Sequence, residues 1–137
     1  MPGYSGTPLP KKLGIKEGYR VALLSMPGDV RSELRAALAE CHIVKDLGGP
    51  LDFIHLFSKT LSELERDMKR AAKALAPAGM LWISWPKKSS GVATDLTENA
   101  IRETGLALGL VDVKVCAVTD VWSGLKFVIP VKNRPKA

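Results

Sequence analysis

Three short apolar runs, Arg20 to Ser25, Asp52 to Phe57 and Met80 to Trp85, are separated by stretches whose apolar residues recur at helical spacing. Runs of that length and composition suit strands covered on both faces, and such strands belong to parallel sheets with helices above and below. The first intervening stripe is Val30, Leu34, Ala37 and Leu38, a helix over about 30 to 40 that Asp29 is placed to cap. A weaker strand at 42 to 46 and the turn-prone Gly48-Gly49-Pro50 lead into the second run. Thr60 and Glu63 then form a capping box for Leu61, Leu64, Met68, Ala71, Ala72 and Leu75, and Pro77-Ala78-Gly79 stops that helix. Asp95 and Glu98 make a second capping box for a helix ending near Leu108, with Gly109 as its stop. Beyond it Val111, Val113, Val115 and Ala117 alternate with polar neighbours, and a strand at 125 to 131 returns across the connection 119 to 124. Pro130 suits an edge strand, because it cannot donate to a central ladder. The order β-α-β-β-α-β-α-β-β predicts an α/β three-layer sandwich with a mostly parallel sheet that ends in an antiparallel hairpin.

At 137 residues the chain has the length of one domain with a substantial core. Its 46% hydrophobic and 25% charged residues exclude the composition of a disordered chain. Residues 1–18, rich in glycine and proline, read as an irregular N-terminal arm with one helical turn around Leu9 to Leu13; 19–132 is the α/β domain and 133–137 a basic tail. No apolar run approaches the roughly 20 residues that span a bilayer, and the start lacks signal-peptide order, so a cytoplasmic protein is expected. Cys41 and Cys116 lack metal or redox spacing and read as free thiols.

A net charge of +6 raises the question of nucleic acid. Lys69, Arg70 and Lys73 end a helix that Glu63, Glu65 and Asp67 begin, which is ordinary complementarity to the helix dipole. Further basic charge is concentrated in three groups: Lys11, Lys12 and Lys16; Lys87 and Lys88; and Lys132, Arg134 and Lys136. Without an aromatic RNA-binding motif or a recognition helix, specific nucleic-acid binding is not expected.

Chemistry concentrates in the loop after the third run. Trp85, Lys87, Lys88, Ser89, Ser90, Thr94 and Asp95 join a buried strand to a helix start, and two ammonium groups with three hydroxyls complement a phosphate or carboxylate. The competing reading is a turn with a helix cap and solvated lysines. The GxxxxGK[ST] frame of a phosphate-binding P-loop is missing. Trp85 and Trp122 can wall a planar ligand or fill the core. His42 and His55 have no serine, cysteine or carboxylate in a relation that forms a triad, and neither a catalytic nor a metal set is assigned. Asp52 and Asp112 begin strands, at the edge opposite a ligand crevice, and read as local hydrogen-bonding groups.

Ile15 to Leu24, Leu75 to Ser84 with its proline and glycine, and Gly109 to Val115 through Trp122 to Phe127 resemble the first strand, a helix-turn-strand and the terminal hairpin of Rossmann-like S-adenosylmethionine methyltransferases. Tyr4 to Leu9, Trp85 to Lys88 and Lys114 to Val118 resemble a compact bacterial family of domains of unknown function, a likeness that covers nearly the whole chain. The methyltransferase resemblance implies a reduced Rossmann-like fold, a cofactor edge at Ser25, Gly28, Asp46, Ser58 and Trp122, and Asp46 in the acidic role toward ribose hydroxyls. After Leu24, however, the chain reads Ser25-Met26-Pro27-Gly28-Asp29, with one glycine where that family has a spaced set.

The leading expectation from sequence is therefore a noncatalytic domain binding a small anionic ligand or a partner through the basic loop. Two others stand beside it: a divergent S-adenosylmethionine-dependent methyltransferase, and a protein–protein interaction module whose hairpin edge pairs with itself or another chain.

Overall fold

The computed structural model describes residues 6–135. The two ends of the expected arm and tail, residues 1–5 and 136–137, lie outside the described residues, and with them Tyr4 and Ser5 of the resemblance.

Six strands form one sheet in the order β2-β1-β3-β4-β6-β5. These are β1 (Arg20–Leu24), β2 (His42–Val44), β3 (Leu51–Phe57), β4 (Leu75–Pro86), β5 (Val111–Ala117) and β6 (Trp122–Val128). The first four run parallel; β6 is antiparallel to both β4 and β5. Alternation along the central strands divides the core. Ile54, Leu56, Leu81, Ile83 and Leu125 face α4 (Leu61–Ala74) and α5 (Glu98–Ala107). Phe53, Phe57, Met80 and Trp82 face α1 (Leu9–Leu13), α2 (Gly28–Glu33) and α3 (Arg35–Leu38). Because both sides of β3 and β4 are covered, their residues are nearly all buried, as the continuous apolar runs require. The three-layer α/β sandwich with its terminal hairpin is thus as expected.

The helical turn at Leu9 to Leu13 is part of this core. Leu9 and Leu13 are buried, and the fully buried Trp82 donates its indole N–H to the Leu13 carbonyl over 2.8 Å. That bond answers two needs at once, since neither group has water available.

Four local expectations are corrected. The helix over 30 to 40 is two short helices broken at Leu34, and it begins at Gly28 with Pro27 as N-cap; Asp29 lies inside the first turn and caps nothing. Helix α4 keeps its Thr60 cap, which accepts from the Glu63 N–H, but ends at Ala74. Leu75 already pairs with Leu51, and Pro77-Ala78-Gly79 is accommodated as an irregularity before Met80 meets Phe53. The cap of α5 is Thr97, accepting from the Ala100 N–H, not Asp95. Strand β6 starts at Trp122, stops at Val128 and sits between β4 and β5, so Pro130 lies past its end and the edge is β5.

The β2 to β3 connection is unusual. Parallel strands ordinarily need a crossover of about a dozen residues, whereas residues 45–50 make this one. It works because β2 has only three residues: the chain returns about 10 Å and steps sideways over β1 by about 10 Å, within the roughly 20 Å that six residues reach. Leu47 seals this strap against the α4 side of the core. Gly49 passes so close to α4 that a Cβ would lie 2.3 Å from the Ala74 carbonyl oxygen.

Candidate functional site

The connection from β1 to β2 crosses one face through α2 and α3, and that from β3 to β4 crosses the other through α4. Chain directions therefore diverge between β1 and β3, the point in an open α/β sheet where a crevice opens beyond the carboxyl ends of the strands. Ser25 follows β1 there, Asp46 follows β2, Ser58 follows β3 and Lys87 follows β4.

Ser25 is the one non-glycine with positive φ among the described residues, at 57°. A left-handed conformation costs an L-residue roughly 1–2 kcal/mol; here it turns the chain out of β1 between half-buried Leu24 and Met26. A Cβ at Gly28 would meet nothing within 4 Å. Asp46 is exposed, and one of its oxygens accepts from the Gly48 N–H over 3.1 Å. Ser58 is buried and its hydroxyl donates to the Thr60 carbonyl over 3.1 Å, so that group serves its own turn.

The basic loop is built mainly by its own hydroxyls. A single 3-10 turn at Lys88–Ser90 ends at Gly91 in the left-handed region. The Ser90 hydroxyl donates to the Lys87 carbonyl over 2.6 Å and accepts from the Val92 N–H. The Thr94 hydroxyl donates to the Lys59 carbonyl over 2.6 Å and accepts from the Leu96 N–H. Asp95 accepts from the Leu61 N–H over 2.8 Å, so its carboxylate caps the start of α4 from the loop after β4. The loops after β3 and β4 are thereby stitched into one lip, and the Lys87 N–H adds a bond to the Val121 carbonyl of the hairpin connection over 2.7 Å. Ser90, Thr94 and Asp95 hold the loop, while half-buried Lys87 and exposed Lys88 and Ser89 have no side-chain hydrogen bond or ion pair among the described residues.

The two tryptophans do not share a ligand wall. Trp85 is buried against the α4 and α5 side of the sheet, whereas half-buried Trp122 meets Phe57 edge-on at 5.0 Å on the opposite side. Asp52 accepts from the Arg20 N–H over 2.9 Å, and Asp112 binds Arg102 over 2.9 Å. His55 is wholly buried, bonded to the Ser84 hydroxyl over 2.8 Å and stacked on Phe57; burial pushes its pKa down to about 3. A neutral imidazole in that position is a core group.

Sequence reasoning missed three features. The Ser25 turn has no signal beyond a small polar residue after an apolar run. The Asp95 cap on α4 links residues 34 apart and has no local signature. The third is an open cavity of about 400 Å³ on the outer flank of β2, lined by Gly28, Arg31, Ser32, Arg35, Leu38, Ala39 and Ile43. Of the expected cofactor-edge residues only Gly28 reaches it.

No protein-family model matches the chain, and no curated protein matches it in sequence. The likeness to a compact bacterial family therefore has no sequence-level support. Solved structures do share the fold. A SAM-dependent methyltransferase from Aquifex aeolicus superimposes with a TM-score of 0.60 at 13% identity, over 87% of this chain and 86% of that one. The magnesium protoporphyrin IX methyltransferase of Synechocystis, solved with bound SAH, gives 0.58 at 13% identity over 88% and 77%. A methyltransferase from Pyrococcus furiosus gives 0.53 at 16% identity over 87% and 78%. The fold is the Rossmann-like fold of S-adenosylmethionine-dependent methyltransferases.

Proposed function

We propose that this chain is a divergent S-adenosylmethionine-dependent methyltransferase domain that takes its cofactor at the β1–β3 edge and receives an anionic acceptor at the Lys87 and Lys88 lip. The observation that carries the reading is the left-handed turn at Ser25, placed at the switch point of a methyltransferase-like sheet. Strain of this kind at a ligand crevice is a mark of function. Exposed Ser25 and Gly28, open space at the Gly28 Cβ position and an exposed Asp46 carboxylate fit the group's need for close backbone approach and for an acceptor toward ribose hydroxyls. When bound, the cofactor supplies an activated methyl group. Ser25 and Gly28 would hold it, with Asp46 fixing its sugar.

The chain's own contribution is positioning. Thr94 and Asp95 fix the lip by their bonds to Lys59 and Leu61, and the ammonium groups of Lys87 and Lys88 attract the acceptor's negative charge. Methyl transfer between aligned partners requires no dedicated base, because orientation alone supplies a large part of the rate. The cofactor-free anion-binding reading is weaker, since Ser90, Thr94 and Asp95, which it enlisted, are committed to the loop's own architecture.

Calorimetric titration with S-adenosylmethionine and its demethylated product tests this. Saturable binding is expected, weakened about tenfold or more in Asp46→Asn, as loss of a charged hydrogen-bond acceptor worth about 1.5–3 kcal/mol requires. Absence of both heat and a thermal shift at millimolar ligand would refute it.

A further inference from the structure

The geometry points to a second binding surface, for consecutive phosphate groups, on the α1 side of the terminal hairpin, built by Lys12, Lys16, Lys114 and Lys126. Lys114 and Lys126 are direct cross-strand partners in the β5–β6 ladder, on the face that Trp82 and α1 share. Like charges directly opposite one another destabilise a sheet, and nothing nearby relieves them. Among the described residues no carboxylate lies within ion-pair distance of any of the four lysines.

Nor are these freely waving surface chains. The Lys114 ammonium donates to the Lys12 carbonyl over 2.9 Å, and the Lys12 ammonium donates to the Ala117 carbonyl over 3.0 Å, so each is already ordered by the other's backbone neighbourhood. Lys126, opposite Lys114, is half-buried and has no hydrogen-bond or ion-pair partner among the described residues. Its pKa is held down by burial and then by the charges of Lys114 and Lys16, which puts both within electrostatic range. Half-buried Cys116 lies in the same group: burial raises its pKa while Lys12 and Lys114 oppose the rise. Ordered, uncompensated ammonium groups of one sign lower the cost of binding a multivalent anion, and lysine suits phosphate as a point charge.

The shared chemistry is a run of phosphates, supplied either by a free oligophosphate or by the backbone of a single-stranded nucleic acid. Without a base-reading motif, recognition of such a strand is sequence-independent. This surface is separate from the proposed cofactor edge, and its test uses no cofactor.

The full chain is titrated with inorganic tripolyphosphate and, separately, with a short oligothymidylate, comparing wild type, Lys114→Gln/Lys126→Gln, and the charge-matched control Lys69→Gln/Lys73→Gln on exposed positions of α4. Binding that weakens about tenfold in the hairpin variant and little in the control supports the surface. For the oligothymidylate, the slope of log affinity against log salt should fall by about 1.4 for two lost contacts. Tripolyphosphate binding alone assigns the surface to free oligophosphates; tighter binding of the oligothymidylate assigns it to a strand backbone. A thermal midpoint of the hairpin variant equal to or above wild type, through relief of repulsion, shows that it is folded. Equal losses in hairpin and control variants, or no binding of either probe to wild type, overturns the proposal; should Lys114→Gln/Lys126→Gln unfold, Lys126→Gln alone carries the same comparison.

Discussion

His55 should make this protein sensitive to mild acid in a way that one substitution removes. Its Nε2 meets the Ser84 hydroxyl and its Nδ1 has no partner, while Phe53, Phe57 and Trp82 surround the ring. Protonation would place a charge in apolar surroundings, and this burial lowers its pKa from 6.5 to about 3. The unfolded chain, by contrast, takes up the proton below about 6.5. The folded state therefore keeps its full His55 contribution above that pH and loses it progressively as pH falls toward 3. At 1.36 kcal/mol per pH unit the complete loss is about 5 kcal/mol, and about 2 kcal/mol of it falls between pH 6.5 and 5. That is a large share of the 5–15 kcal/mol typical of a domain.

Urea denaturation of wild type and His55→Gln at several pH values from 7 to 5 measures it. The variant will differ in absolute stability because the packing on Phe57 changes; the slope against pH is the informative quantity. The two proteins differ only at residue 55, so contributions from the rest of the chain cancel in the comparison. Wild type should lose about 2 kcal/mol more than the variant over this range. Parallel pH profiles would show that His55 is solvated or charged in the folded protein and would refute the argument.

Two further outcomes follow from close contacts. Gly105→Ala should destabilise the protein by about 1–2 kcal/mol in denaturant melts, although helix propensity alone favours alanine by up to about 1 kcal/mol; the new Cβ would lie 2.2 Å from Phe127 Cε1, and Phe127→Leu should rescue part of the loss. Asp95→Ala leaves the Leu61 N–H without its acceptor and should cost about 1 kcal/mol in thermal unfolding, with faster amide exchange at Leu61 than in wild type; unchanged exchange there would argue against the bond between the two loops.

The strands and layers were legible because their signal is local. Apolar runs such as Leu51 to Phe57 are continuous only where both faces are covered, and the Thr60 capping box needs only four residues to declare itself. The errors came where a tertiary neighbour chose between equivalent local options. Asp95 and Thr97 are both competent caps near the start of α5; Thr97 took it because the Asp95 carboxylate found the orphan N–H of Leu61. Likewise Trp85 and Trp122 lie at the same sheet edge, but their positions in the pleat send them to opposite faces.

The same distinction applies to charge. Counting lysines along the chain put Lys12 and Lys16 in an arm and treated Lys114 only as the polar half of an alternating strand. Folding brings α1 across the hairpin, where the period of two aligns Lys114 with Lys126 and the helix adds Lys12. Two arginines on the longer helices have acidic neighbours one turn away: Arg70 has Asp67 and Arg102 has Glu98. On the hairpin the position directly opposite Lys114 on the adjacent strand presents another lysine, Lys126. The net positive charge of this chain is therefore uneven in its consequences: Arg66, Arg70 and Arg102 have acidic partners within the fold, while Lys12, Lys114 and Lys126 have none among the described residues.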